Sequence, residues 1–334
     1  MPLGPSDLPL DQAQSLAQHK GDLSLNAYTS LSDEAAACLG RHREGTLWLN
    51  GLTSLSPAAA ASVASHAGAV SLDGLKTLSD QAAAAMSRFR HGLSLDGVAS
   101  LSERAAESLA SHEGSLWLNG LTTLSDASAA TLGRHNGSLW LNGLTSLSTE
   151  AAVGLSHIRG LLSLDGLSAL SAAAASALAA HGGDLSLNGL TALPDDVSAA
   201  LGSHLGMLRL GGVREVSAAA ARGIARRSRA VALDGLVAVS GGVAEALAAH
   251  EGLLSLNGVT SLSAAEAAAL ARHHGDLYLC GLTMLPDDAA CELAGHGSWL
   301  YLDGLTSLSD AAASALHSKA GLRLPARFSS RGAG

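Results

Sequence analysis

Residues 116–138 read LWLNGLTTLSDASAATLGRHNGS, and residues 139–161 repeat the pattern as LWLNGLTSLSTEAAVGLSHIRGL. The opening motif, Leu-x-Leu followed by Asn or Asp and then Gly, recurs along nearly the whole chain. We call its first apolar residue offset 0. Successive repeats are spaced 24 residues apart once, 23 residues eleven times and 22 residues once, which leaves no linker and predicts one continuous repeat domain. Offset 0 falls at Leu23, Leu47, Val70, Leu93, Leu116, Leu139, Leu162, Leu185, Leu208, Val231, Leu254, Leu277, Leu300 and Leu322.

Each offset predicts a local structure. Apolar residues at offsets 0 and 2 with a small or polar residue between them are typical of a short strand with one buried face. The following pair, as in Asn119-Gly120, predicts a turn whose glycine uses the left-handed region. Ser at offset 9 is placed to cap a short Ala-rich helix that carries Leu at offset 16. Two repeats have Pro there instead, at Pro194 and Pro286, and we expect the following aspartates to take over the cap.

The pattern resembles that of leucine-rich-repeat solenoids, over about residues 8 to 324. The resemblance implies an α/β fold, a right-handed leucine-rich-repeat-like solenoid of about 14 coils. A parallel β ladder would form one side and short Ala-rich helices the other. We divide the chain into a capping half-repeat at 1–22, a solenoid of 23-residue repeats at 23–321, and a C-terminal strand and tail at 322–334.

The composition supports a repeat core and excludes other classes. Of the 334 residues, 47% are apolar, but only 3% are aromatic and 15% are charged, so the apolar content is mainly Leu and Ala. This is too apolar for a disordered chain, yet no apolar run is long enough to span a membrane. We interpret the scarcity of aromatic residues as their exclusion from a core only one coil wide. No export signal opens the sequence, and Cys38, Cys280 and Cys291 lack paired spacing, so we expect a cytoplasmic protein with reduced thiols.

The net charge of −9 gives no reason to expect nucleic acid or a membrane as partner. The repeat at 208–230 departs from this average, because it has one acid and six arginines and a net charge of +5. It could receive an acidic or phosphorylated partner, but we favour a solvated surface because the arginines do not share one face. These arginines are Arg209, Arg214, Arg222, Arg226, Arg227 and Arg229.

Two polar residue types recur at a fixed offset, so each forms a column along the repeats that could be taken for a metal site. His recurs at offset 19, as in His112 and His135, and Asn or Asp recurs at offset 3, as in Asp73 and Asp96. We interpret the first as rings that lie at helix C-termini and the second as a ladder that satisfies backbone groups. We predict no metal site, because no second ligand recurs beside either column.

Offset 1 faces away from the core and is mostly Ser, but it also holds most of the chain's Trp and Tyr residues. Exposed aromatic residues are typical binding anchors, although they could also only stabilise the ladder by contact between neighbouring strands. Arg209 lies on the same face, between two aromatic groups. The candidate binding residues are therefore Trp48, Trp117, Trp140, Arg209, Tyr278, Trp299 and Tyr301.

No catalytic motif or phosphate loop is present, so we predict neither an enzyme nor a cofactor. The leading hypothesis is a non-catalytic recognition scaffold that binds a protein or peptide on the exposed strand face. One alternative is a structural or self-assembling solenoid that forms a homo-oligomer through the same face. Glycan binding by the exposed aromatic residues is a weaker alternative.

Overall fold

The computed structural model of this protein describes residues 7–226 and 229–328. Residues 1–6 of the predicted cap, Arg227 of the arginine-rich repeat and residues 329–334 of the predicted tail lie outside the described residues. The chain divides into two compact units, residues 1–166 and residues 167–334. In both units short strands alternate with short helices, as predicted for a leucine-rich-repeat-like fold.

In the first unit, seven strands pair in parallel and in chain order within the residues described. The predicted N-terminal cap contributes a helix, α1, and a single parallel bridge between Asp7 and Ser30. The elements are α1 Leu10–Leu16, β1 Leu23–Ser24, α2 Asp33–Leu39, β2 Leu47–Trp48, α3 Pro57–Val63, β3 Val70–Ser71, α4 Asp80–Met86, β4 Leu93–Ser94, α5 Glu103–Ala110, β5 Leu116–Trp117, α6 Asp126–Leu132, β6 Leu139–Trp140, α7 Thr149–Leu155 and β7 Leu162–Ser163.

The second unit repeats this arrangement, and its described strands again pair in parallel and in chain order. Three of its strands are three residues long rather than two. The elements are α8 Ala172–Ala179, β8 Leu185–Ser186, α9 Asp195–Leu201, β9 Met207–Arg209, α10 Ala218–Ile224, β10 Ala230–Ala232, α11 Gly241–Ala248, β11 Leu253–Ser255, α12 Ala264–Ala271, β12 Leu277–Tyr278, α13 Asp287–Ala294, β13 Leu300–Tyr301, α14 Asp310–His317 and β14 Leu322–Arg323.

The core of each coil is a small set of leucines and alanines. In the repeat that begins at Leu116, the side chains of Leu116, Leu118, Leu121 and Leu132 are completely buried. Helix alanines such as Ala129 are also completely buried, and their small size lets short helices pack closely against those of neighbouring coils. Helices this short are marginal alone, so each coil depends on its neighbours for stability.

Serine caps begin most helices, as predicted. In α5, for example, the Ser102 hydroxyl accepts from the Ala105 backbone N–H at 3.0 Å. Several of these serines also donate to the first aspartate of the preceding helix, as the Ser148 hydroxyl does to Asp126 at 2.5 Å. The predicted caps that accept an N–H are Ser32, Ser56, Ser79, Ser102, Ser125 and Ser309.

The prediction for the two proline repeats is partly wrong. The N-cap residues are Pro194 and Pro286 themselves, and the aspartates already lie inside the helices α9 and α13. One carboxylate of each pair still satisfies a backbone N–H, because Asp196 accepts from Val197 at 2.9 Å. Proline suits this position since it offers no N–H that would need a partner.

The predicted role of the turn glycine is also wrong. Among described residues, only Gly21, Gly45 and Gly321 have positive φ angles, and none of them is at offset 4. Offset 4 needs glycine for close packing instead. A Cβ at Gly120 would lie 2.2 Å from the carbonyl oxygen of Asp96 in the preceding coil. Backbone therefore packs directly on backbone at this corner, and only glycine leaves room for it.

The Asn and Asp residues at offset 3 form the predicted ladder. Their side-chain Oδ1 atoms accept the backbone N–H of the same offset in the next coil, as between Asn50 and Asp73 at 3.0 Å and between Asp73 and Asp96 at 3.0 Å. Serines at offset 1 also donate to them, and Ser71 donates to Asn50 at 2.6 Å. The backbone bonds use only Oδ1, so Asn and Asp can both accept them. The Oδ2 atoms of Asp73 and Asp96 accept further bonds, from the Ser71 hydroxyl at 2.8 Å and from Asn119 Nδ2 at 3.1 Å.

We expect Asp73→Ala to lower the free energy of unfolding by about 1–3 kcal/mol, because it leaves the Asp96 N–H in a partly buried site without its acceptor. Asp73→Asn keeps Oδ1 and should stay within about 0.5 kcal/mol of the parent chain. Urea unfolding followed by circular dichroism compares the two variants. Equal losses would show that the ladder acceptor is not what matters at this position.

Candidate binding surface

Residues at offset 1 face outward from the strands, and the large ones cover their small neighbours. Trp48 pairs in register with Ser24 on one side and Ser71 on the other. Ser71 is only 7% exposed and Ser163, the strand neighbour of Trp140, is only 2% exposed, although both positions face away from the core. The aromatic side chains at this offset therefore project from an otherwise flat surface.

In the first unit, Trp117 and Trp140 lie side by side on β5 and β6. Their rings stack with centroids 4.5 Å apart and an angle of 13° between planes. The Trp117 ring lies over Gly92, where a Cβ would come within 2.9 Å of it. Both indoles remain partly exposed. The two residues thus form one rigid aromatic platform, which we call the tryptophan pair.

In the second unit, Tyr278 and Tyr301 stack in the same way, with centroids 4.0 Å apart and planes 4° apart. Trp299 lies 6.1 Å from Tyr301 at an angle of 30°, and half of its surface is exposed. A hydrogen bond with the Tyr301 hydroxyl raises the pKa of Tyr278 to about 12, so this phenol is neutral at physiological pH. These three residues form a second aromatic group.

The structure does not bring Arg209 to either aromatic group. Its strand neighbours are Ser186 and Ala232, and its Nη2 lies 3.4 Å from Asp184 Oδ2. The other described arginines of that repeat are exposed. Arg214 lies between the turn and helix α10, and Arg222 lies within α10. Arg226 follows α10, and Arg229 directly precedes β10.

Two aromatic residues outside this face are explained by packing. Tyr28 is almost buried, and its hydroxyl donates to Gln12 Oε1 at 2.8 Å in the N-terminal cap. Phe89 is completely buried at offset 19, where other repeats have His, and its ring stacks 5.8 Å from His112. The expectation that the core excludes every large ring is therefore wrong, because the offset 19 column offers one interior slot per coil.

The histidine column is an interior stack of rings. Nine of its members are at most 3% exposed, and neighbouring rings such as His112 and His135 stack with centroids 5.8 Å apart. The His66 ring is held by backbone carbonyls, since its Nδ1 lies 3.0 Å from the His42 oxygen, whereas both ring nitrogens of His112 and His135 are buried without a hydrogen-bond partner. The buried members are His42, His66, His112, His135, His181, His204, His250, His273 and His296.

Burial lowers the pKa of most of these rings below its usual value. For His135 and His273 the pKa falls to about 4, because burial and then the charge of neighbouring histidines disfavour the protonated form. At the last coil Lys319 takes the place of His. Its Nζ donates to the Ser298 carbonyl at 2.7 Å and to the His296 carbonyl, so it ends the column with a charged donor.

Other site chemistry is absent from the part of the chain that the structure describes. Residues 7–226 and 229–328 hold no group of three or more His, Cys, Asp or Glu residues that could bind a metal ion. Cys38, Cys280 and Cys291 are free thiols. None of the described helices has the length and apolar character needed to cross a membrane.

No protein-family model matches this sequence, and comparison with curated proteins finds no match. Among solved structures, the chain is similar to an internalin from Listeria monocytogenes, with a TM-score of 0.53 at 14% identity over 94% of this chain and 88% of that one. The fold is that of a leucine-rich-repeat solenoid. At this identity the similarity shows the fold and nothing more.

Two further structures share weaker similarity. A leucine-rich-repeat protein from Leptospira interrogans gives a TM-score of 0.43 at 16% identity, covering 98% of this chain and 96% of that one. A chain of the Toll–Spatzle complex from Drosophila gives 0.47 at 13% identity, covering 96% of this chain and 47% of that one.

Sequence reasoning found the aromatic residues but missed the charge around them. Aspartates recur on the outward side of the strands at offset −1, at Asp22, Asp184 and Asp276, as well as in the ladder at offset 3. The signal was available in the sequence, because offsets −1 and 1 face the same side of the chain. Offset 3 lies in the turn, where its side chain bonds to offset 1 of the same coil, as Asn257 Nδ2 donates to the Ser255 hydroxyl at 2.9 Å.

Proposed function

We propose that this protein is a non-catalytic, cytoplasmic recognition scaffold that binds a protein or peptide on its outward strand face. The observation that carries the proposal is the tryptophan pair, two stacked and partly exposed indoles in a chain with only four Trp residues. The second aromatic group, with half-exposed Trp299, would be a further contact region. Apart from Trp299, which directly precedes β13, the members of both groups lie on strands, which hold binding residues more rigidly than loops do.

Aromatic side chains favour binding at such a surface. A stacked pair is already ordered before the partner arrives, so little conformational entropy is lost on binding. Trp and Tyr are also the residues most often found at energetic hot spots of protein interfaces. If the rings only stabilised the ladder by stacking, they could be fully buried. Their partial exposure therefore favours a role in binding.

The proposal is tested by selecting displayed random peptides on the parent chain and counter-selecting on a Trp117→Ser, Trp140→Ser variant. Serine is the usual residue at offset 1, so this variant fits the repeat. Val153→Ser is the matched control, because it removes a 48% exposed apolar side chain from helix α7 instead. We expect selected peptides to bind the parent and control chains and to lose at least tenfold in affinity on the double variant.

Sedimentation velocity of the same three proteins tests the oligomer alternative. If the parent chain forms a dimer that becomes a monomer in the double variant, and no peptide is selected, then the face is a contact between copies of this chain. Peptides that bind the double variant as tightly as the parent chain would reject the strand face as the binding surface.

A further inference from the structure

The outward strand face of the first unit carries negative charge and no positive charge. At offsets −1, 1 and 3 of its strands, all of which lie within the described residues, there is no Lys or Arg. The remaining side chains at these offsets are mainly Ser, Asn and the three tryptophans. The acids at these positions are Asp22, Asp73, Asp96 and Asp165.

Two of these carboxylates lie in the two coils just before the tryptophan pair, where the ladder fixes them. Asp96 Oδ1 accepts the Asn119 N–H at 2.8 Å, and Asn119 is two residues after Trp117 on the same side of the chain. Asp73 is fixed one coil earlier through its bond to the Asp96 N–H. The Trp117 ring lies over Gly92, four residues before Asp96 on the neighbouring coil. Both acids therefore belong to the two coils that precede β5, and the ladder fixes them on the face that carries the aromatic platform.

Partly exposed indoles on a face whose charged groups are all carboxylates favour cations. The ring face attracts an ammonium or guanidinium group through its quadrupole, and the carboxylate adds a charge of opposite sign. An acidic segment would meet repulsion from the same carboxylates, and a neutral one would gain nothing from them. The charge around the tryptophan pair thus selects among the partners that aromatic residues alone could bind.

The second unit differs in its charge. Asp276 is two residues before Tyr278 and faces the same side of β12. Arg323 pairs in register with Tyr301 and lies 3.1 Å from Asp303, and Arg209 lies 3.4 Å from Asp184. The second aromatic group therefore has both signs of charge beside it, and the purely negative face belongs to the first unit.

We propose that the occupant of the first unit's strand face is an extended peptide segment that carries lysine or arginine side chains. These side chains lie against Trp117 and Trp140 and are attracted by Asp73 and Asp96. The inference rests on the proposed function, because it names the chemistry of the partner that the tryptophan pair would bind.

Fluorescence anisotropy with labelled synthetic peptides of equal length tests this inference. The probes alternate alanine with lysine, with glutamine or with glutamate, and a chitin oligosaccharide tests the glycan alternative by competition. Asp73→Asn with Asp96→Asn removes two charges while Asn keeps the Oδ1 acceptor of the ladder. The bond from Asn119 Nδ2 to Asp96 Oδ2 is lost, so circular dichroism first establishes that this variant is folded. Asp80→Asn with Asp126→Asn is the matched control, since it removes two charges at the start of helices.

We expect the lysine peptide to bind most tightly and to lose at least fivefold in affinity on the Asp73, Asp96 variant. It should lose at least tenfold on Trp117→Ser, Trp140→Ser and bind the helix control like the parent chain. Affinity should also fall as salt is raised.

Each other outcome overturns a distinct claim. If the glutamine or glutamate peptide binds as tightly and depends on the tryptophans but not on the aspartates, the cationic partner is wrong and the proposed function stands. If the lysine peptide responds equally to both aspartate variants, its binding is non-specific and the inference fails. If no peptide depends on the tryptophans, the proposed function fails, and tryptophan-dependent binding of the oligosaccharide, itself labelled, would then assign the face to a glycan.

Discussion

Acidification from pH 7 to pH 5 is expected to destabilise the fold strongly, through the histidine column. An unfolded histidine titrates near its ordinary pKa of about 6.5, whereas buried His135 and His273 titrate at about 4. Between these values the unfolded chain takes up protons that the folded chain does not, so stability falls as the pH falls. The loss at pH 5 amounts to about 2 kcal/mol for each of these two rings.

Further members of the column shift in the same direction for the same first cause, which is burial, including His112, His204 and His250. Thermal melts followed by circular dichroism at pH 7, 6 and 5 measure the combined effect. The variant His135→Phe removes one titrating ring and has a natural precedent at Phe89, so it should be less sensitive to acid. Replacing exposed His157 by Gln should leave the acid sensitivity unchanged. A melting temperature that is the same at pH 7 and pH 5 would contradict the buried neutral column.

Gly258→Ala is expected to cost about 3 kcal/mol or more of folding stability. A Cβ at this position would lie 2.2 Å from the Asp234 carbonyl oxygen and 2.6 Å from that of Leu236. Both are backbone atoms of the preceding coil, which can move only if the coils separate, so the overlap cannot be relieved by a rotamer change.

The matched control for this substitution is Gly182→Ala. Gly182 is exposed, has no atom within 4 Å of a built Cβ, and does not have a positive φ angle. We expect this variant to keep the stability of the parent chain within about 0.5 kcal/mol. Equal unfolding midpoints in urea for the two variants would refute close backbone packing as the reason for glycine at offset 4.

The repeat period made most of the fold predictable. A strict spacing of Leu-x-Leu motifs places the same offset of every coil in one column. A structural prediction made for one repeat therefore applies to the others. Strand positions such as Leu116, serine caps such as Ser102 and the acceptor at Asp73 followed directly from this. Each of these features depends on local chain geometry and on residues at known offsets of the adjacent coil, which the repeat period identifies.

What the sequence did not predict depends on contacts between coils. The reason for glycine at offset 4 is a carbonyl of the preceding coil, which no local propensity reports. The interior slot at offset 19, which accepts Phe89 as well as histidine, depends on the space that remains between helix and strand. The stacking of Trp117 on Trp140 and the covering of Ser163 likewise needed side-chain placement, although their shared face was predictable.

The central claim is that the tryptophan pair is the binding surface of this scaffold. Its most direct test is calorimetric titration of one selected peptide into the parent chain and into the Trp117→Ser, Trp140→Ser variant, after circular dichroism has shown that both are folded. We expect the dissociation constant of the variant to be at least tenfold larger. Equal affinity for the two folded proteins would contradict it.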